Sequence, residues 1–173
     1  HLCLAILVLE GACSDLASAN WDGLIEGAVS VMTGGQLALS VCARPEDLRN
    51  PAPRGRLIKF HGCAVLATQN EAAYRHFLVA RQTQINAWAA WPENAAVRGR
   101  LIDLVATKPT LMIGLSAQDA NIQALFAQAT AQMAWRWPSN PPSCVFSANE
   151  LGGDQQGLLQ NVYRQDMSPG NRQ

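Results

Sequence analysis

The chain has 173 residues, 49% of them apolar, with 13 basic and 13 acidic side chains and a formal net charge of zero. One domain's worth of chain, it is long enough to bury roughly two thirds of its unfolded surface, and its apolar content excludes disorder throughout. The charge balance argues against a general nucleic-acid binder, whose electrostatic footprint is basic; Arg54, Arg56, Arg98 and Arg100 read as solvated surface.

In chain order, Leu2 to Leu9 is an apolar run with no basic segment before it, too short to span a bilayer. It reads as a buried helix closed by Gly11. A helix already under way at His1 implies a piece of a longer protein. Residues 15–19 read as a short strand ending at Asn20, and Asp22 as the cap of a helix from Gly23 to Met32. Thr33-Gly34-Gly35 is a turn, Gln36 to Cys42 a strand, Pro45-Glu46-Asp47 a helical turn, and Asn50-Pro51-Ala52-Pro53 a loop. Residues 56–61 form another strand.

From Glu71 the period becomes helical: Tyr74, Phe77, Leu78, Arg81 and Ile85 share a face that Trp88 continues, until Pro92 breaks it. A helix follows over 95–106, so that 71–107 reads as a helical insertion. Thr110 to Leu115 is a strand, and a helix starting at Ser116 or Asp119 runs to about Trp135. Residues 138–142 are a loop, 144–147 a strand, 154–163 a helix, and 168–173 a frayed tail after a single domain over 1–167. Continuous apolar strands alternating with helices imply an α/β fold, a mostly parallel sheet covered on both faces in three layers. The tryptophans Trp88, Trp91, Trp135 and Trp137 fit core or helix packing better than a partner surface.

The five cysteines, Cys3, Cys13, Cys42, Cys63 and Cys144, are odd in number, scattered and without a C-x-x-C pair. That suits a reducing cytoplasm and lacks the usual zinc spacing. Cys63 reads as a small buried thiol. Neither the three histidines nor the cysteines stand at metal-ligand spacing, so no metal site is expected. Gly114-Leu115-Ser116 occupies a strand-to-helix turn, but Gln118 stands where a nucleophile elbow needs glycine, and no histidine follows Ser116. No G-x-G-x-x-G fingerprint is present.

What survives is Asn20, Asp22, His61 and Ser116, a carboxamide, a carboxylate, an imidazole and a hydroxyl on three strand ends. In an open parallel sheet such ends line the ligand crevice. The set suits hydrogen bonding to a ribose and proton transfer near neutral pH. Taken singly, Asn20 and Asp22 also read as turn and cap residues, His61 as a core histidine and Ser116 as an N-cap.

Three segments resemble the zinc-free, SIR2-like branch of the sirtuin superfamily. Ser18-Ala19-Asn20-Trp21-Asp22-Gly23-Leu24-Ile25-Glu26 is similar to its Thr-x-Asn-Tyr/Trp-Asp-x-Leu-Ile-Glu motif. Lys59-Phe60-His61-Gly62 is similar to Lys-Leu-His-Gly, and Ile113-Gly114-Leu115-Ser116-Ala117-Gln118-Asp119 to its Gly-x-Ser-x-x-Asp segment. Order and spacing agree over about residues 12–165. The resemblance implies a Rossmann-like sheet and NAD as substrate, cleaved to nicotinamide and ADP-ribose. It assigns catalysis to His61 as base with Asn20 and Asp22. NAD contacts fall to Asn20, Asp22, Gly114, Ser116 and, through a looser match of Phe146-Ser147-Ala148-Asn149-Glu150, Asn149. No segment before Asn20 matches the family's Gly-Ala-Gly-x-Ser strand and loop, so the resemblance implies a sheet missing its first strand. The family's four-cysteine zinc module is absent, which favours NAD hydrolysis in a bacterial anti-phage role. Two alternatives stay open: a non-catalytic NAD- or ADP-ribose-binding or assembly domain, and a zinc-free NAD-dependent protein deacylase. A homo-oligomer or an attached effector or sensor domain fits the same resemblance, with no membrane or direct nucleic-acid partner.

Overall fold

Strands and helices alternate as the apolar pattern predicts, and every strand pairing among the described residues is parallel. The computed structural model describes residues 1–115, 117–132, 143–146 and 150–163. The chain divides into two units, His1–Val97 and Arg98 onward.

The first unit contains α1 (Leu2–Leu9), β1 (Asp15–Ser18), α2 (Leu24–Met32), β2 (Leu39–Cys42), a 3-10 turn at Pro45–Arg49 and β3 (Gly55–Lys59). The strand order is β1-β3-β2. β3 is central, and its register sets Leu16 and Val41 beside Leu57 and Ala17 and Cys42 beside Ile58. Side chains alternate across a strand, so Gly55, Leu57 and Lys59 share one face with Leu16 and Leu39. That face carries the core: Ala5 and Val8 of α1, Ala28 and Val29 of α2, and Ala38, Leu39 and Leu57 form one buried cluster. The opposite face is covered too, since Ile58 and Cys42 are fully buried. Leu57-Ile58 is thus the unbroken apolar run of a strand buried on both sides. Gly55 lets α1 approach: a Cβ there would lie 2.9 Å from Val8 Cγ1 and 3.2 Å from the Ser14 carbonyl.

Two segments depart from the sequence pattern. The predicted strand over 36–42 pairs only from Leu39, where its partner Gly55 begins. The single helical face predicted from Glu71 to Trp88 is broken into short pieces. These are α4 (Glu71–Tyr74), a 3-10 turn at Arg75–Phe77, α5 (Gln82–Ala87) and further 3-10 turns at Trp88–Ala90 and Pro92–Asn94, all preceded by α3 (Ala64–Gln69). Capping side chains cut the pieces apart. Asn70 Oδ1 accepts from the Ala73 N–H, and Gln84 Oε1 accepts from the N–H groups of Ala80 and Arg81. Between them Leu78 is extended, and the Val79 N–H donates to the His61 carbonyl instead of to a helix. Tertiary hydrogen bonding overrides a helical period here. α6 (Ala95–Thr107) follows as predicted.

In the second unit, β4 (Thr110–Ile113) pairs with β5 (Ser143–Phe146), and α7 (Ala120–Gln132) and α8 (Gly153–Tyr163) complete it. α7 buries Ile122, Leu125, Phe126 and Ala129, a stripe at helical spacing, and α8 buries Leu158 and Leu159. The predicted loop over 138–142 and tail over 168–173 lie outside the described residues. No helix among the described residues is long and apolar enough to cross a membrane.

Candidate functional site

Parallel strands end at a common edge, and in the first unit that edge carries the polar residues. Ser18 opposite Lys59 is the last rung of the β1–β3 ladder. Asn20 and His61 each lie two residues beyond it in sequence, so both follow the same end of the sheet. Past Ser18 the chain turns: the Asn20 N–H donates to Ser18 Oγ at 3.1 Å, and Asp22 Oδ1 accepts from the Leu24 N–H at 3.0 Å. Asp22 thus holds the first N–H of α2 from one residue outside its N-cap, Gly23, while Asn20, Trp21 and Asp22 are all exposed.

His61 is differently placed. It is 6% exposed, with its ring edge-on to Phe60 at 4.6 Å and 6.3 Å from Trp88. Trp88 is a core residue, as predicted, and stacks edge-to-face on Phe60. The turn after His61 needs glycine. Gly62 has φ +91°, and a Cβ there would stand 2.7 Å from the Phe77 carbonyl oxygen and 2.9 Å from Leu78 Cα. The strand end is thereby pressed against the backbone of 77–78.

Lys59 and Glu26 hold a part that the sequence reading leaves unassigned. Lys59 lies on the sheet face covered by α1 and α2, and its side chain is 1% exposed. Nζ pairs with Glu26 Oε1, in the first turn of α2, at 2.7 Å. The ammonium also donates to the Asp22 carbonyl, to the Trp21 carbonyl at 3.5 Å and to Cys63 Sγ at 3.6 Å. The Trp21 carbonyl additionally accepts from the Ala64 N–H at 3.0 Å. Cys63, expected as a buried thiol, is 1% exposed.

The end of β2 closes the same edge with a carboxylate. Asp47 is 2% exposed and accepts from the N–H groups of Ala43 and Arg44, from Arg44 Nε and from the Tyr74 hydroxyl. The Arg44 guanidinium lies 4.6 Å over the Tyr74 ring. Burial, then the Asp47 charge, raise the Tyr74 phenol above its ordinary value. Burial and Asp47 also push the Cys42 thiol up to about 12.

In the second unit Gly114 follows β4 with φ +63°, and Ala117 is the one described non-glycine residue with positive φ, at 59°. Gln155 Nε2 donates to the Leu115 carbonyl at 2.6 Å and Gln123 Nε2 to the Ala117 carbonyl at 3.0 Å. Two helix side chains thus hold the turn after the strand. Asp119 Oδ1 accepts from the Asn121 N–H at 2.8 Å and starts α7. Ser116 and Asn149 lie outside the described residues. No group of three or more His, Cys, Asp or Glu that could hold a metal ion occurs among the described residues.

A protein-family model described as SIR2-like domain matches residues 15–164. The chain belongs to the SIR2-like domain family. That span begins at β1 and ends one residue beyond α8, so the polar strand edge and the turn after β4 both fall inside it. Membership implies NAD-related activity. The chain matches no curated protein.

Within this SIR2-like domain the residues that sequence reasoning missed are the ones that support the site rather than form it. Lys59 and Glu26 were legible in one respect: a lysine inside Leu57-Ile58-Lys59-Phe60 has no water to face and must find a carboxylate. Gln123, Gln155 and Asp47 carried no such signal, because a capping or loop-holding amide looks like any surface residue.

Proposed function

We propose that this SIR2-like domain hydrolyses NAD at the nicotinamide–ribose bond, giving nicotinamide, ADP-ribose and a proton, in bacterial anti-phage defence. The observation that supports the reading is that Asn20 and His61 both follow the last β1–β3 rung, at the same end of the sheet, with Asp22 two residues after Asn20. Their donor set fits the substrate. A carboxamide and a carboxylate at the surface can hold ribose hydroxyls, and an imidazole from the same strand edge can take a proton near neutral pH.

The bond breaks through an oxocarbenium-like transition state. Nicotinamide departs as a neutral base, so the chain's task is to stabilise positive charge and to place a nucleophile. Asp22 supplies negative potential on the ribose side. Asn20 orients water or a ribose hydroxyl. His61 accepts the proton that the attacking water loses. Gly114, Ser116 and Asn149 are assigned to phosphate, ribose and adenosine contacts through the family motif.

Nicotinamide release from NAD by the purified protein tests this. His61→Ala lowers the rate by roughly 10²–10⁴-fold, the range for loss of a general base, and leaves NAD binding within a few-fold. A variant that turns over at the wild-type rate refutes the assignment. Release that depends on an acylated peptide identifies a deacylase instead.

A second reading draws on the burial of His61. An imidazole 6% exposed and packed on Phe60 and Trp88 is also what a core histidine looks like. On that reading the domain binds NAD or ADP-ribose without cleaving it, and a binding isotherm without turnover is its signature.

A further inference from the structure

We infer that Lys59 and Glu26 are positioning residues, a buried ion pair whose task is to fix the Asn20-Trp21-Asp22 turn at the strand edge from which His61 also emerges. The inference rests on the proposed role of Asn20 and Asp22 for its functional consequence, and on the geometry alone for the positioning itself.

An ammonium has three donors and no acceptor. Here its oxygen partners are Glu26 Oε1, the Trp21 carbonyl and the Asp22 carbonyl. Two of the three belong to consecutive peptide groups of the turn. For both carbonyls to point at one nitrogen, the backbone through Trp21 and Asp22 must hold a single course; Asp22 sits between the two peptides, and Asn20 is the residue that leads into Trp21. Glu26 supplies the counter-charge from the first turn of α2, the helix whose first N–H Asp22 accepts from. Lys59 itself lies in β3, two residues before His61. One side chain therefore ties the strand that delivers the imidazole to the turn that delivers the carboxamide and the carboxylate.

The alternative is that the pair serves stability alone. That account is weak on general grounds, because a buried ion pair seldom outperforms two well-packed apolar side chains of similar volume. A lysine and a glutamate are costly choices for filling space between a sheet and a helix. They are suitable choices for orienting two carbonyl groups, which an apolar side chain cannot do.

The test has two readouts on the purified protein. The first is amide hydrogen exchange, which needs no activity. The N–H groups of Asn20, Leu24 and Ala64 bond within or to the turn. In Lys59→Met they exchange at least tenfold faster relative to the amides of Leu57 and Ile58, which report the sheet. Equal protection in variant and wild type overturns the inference. The second readout is coupling in nicotinamide release. Lys59→Met lowers kcat/KM at least tenfold in the wild-type background but less than threefold when Asn20 and Asp22 are already alanine, because the groups it positions are gone. The same fold loss in both backgrounds shows a merely structural role and also overturns the inference. Glu26→Gln, isosteric and only partly buried, repeats both measurements should Lys59→Met fail to fold. Absence of nicotinamide release from the wild type counts against the NAD-hydrolase reading, and the exchange result still decides whether the pair positions the turn.

Discussion

Gly62→Ala separates backbone strain from steric exclusion at the turn that follows His61. Two costs are visible in the structure. A side chain at φ +91° occupies the left-handed region at about 1–2 kcal/mol. Its Cβ would then stand 2.7 Å from the Phe77 carbonyl oxygen and 2.9 Å from Leu78 Cα. Both are backbone atoms that no rotamer change can clear, and forcing them apart costs about 1–3 kcal/mol, as overpacking does. The total is about 3 kcal/mol, or about 9 °C in Tm for a chain of this size. Gly34→Ala is the control: φ is +63° with nothing within 4 Å of the added Cβ, so only strain remains, about 1 kcal/mol. Urea unfolding of both variants against the wild type gives the difference directly. A Gly62→Ala loss within about 0.5 kcal/mol of the Gly34→Ala loss, near the spread of ordinary surface substitutions, refutes the claim that residues 77–78 press on this turn.

Asp47→Ala strands two backbone donors, the Arg44 guanidinium and the Tyr74 hydroxyl, and costs about 3 kcal/mol in urea unfolding; Tyr74→Phe removes one of these bonds and costs about 1 kcal/mol. Cys42, its thiol pushed up to about 12 from an ordinary 9.0, resists iodoacetamide in the native state while the exposed Cys3 is alkylated. Because its folded value lies above its unfolded one, the thiol's contribution to stability is whole below 9.0 and falls as pH rises from there towards 12. Wild type therefore loses stability relative to Cys42→Ala across that range, and parallel pH profiles for the two would show that Cys42 titrates alike in both states.

The legible parts of this fold are those fixed by local chemistry. Leu57 and Ile58 are apolar and β-compatible at adjacent positions, and only a strand buried on both faces uses both. Asp22 two residues before Leu24, and Asp119 two before Asn121, announce helix starts that the structure confirms. The 71–88 segment departs from its helical period for the opposite reason. Its period fits a helix, but the Val79 N–H is claimed by the His61 carbonyl and Gln84 caps the chain anew, and neither partner is visible in a window of neighbouring residues. The same limit applies to the site. The motif segments name Asn20, Asp22 and His61, yet only the β1–β3 pairing shows both segments leaving the same end of the sheet, and only the fold shows His61 buried while Asn20 and Asp22 are exposed.

The order β1-β3-β2 has a consequence for how the first unit is made. β1 and β2 do not touch through hydrogen bonds; each pairs only with β3. Until residues 55–59 are available, neither earlier strand has a partner, and Leu16 must wait for Leu57, about forty positions later. Such long-range parallel pairing is slow to form and leaves unpaired strand edges exposed meanwhile. The ladder that finally closes is the same one whose end leads into both Asn20 and His61. Folding of this unit and assembly of its polar edge are therefore a single event, and a chain ending before Gly55 holds neither.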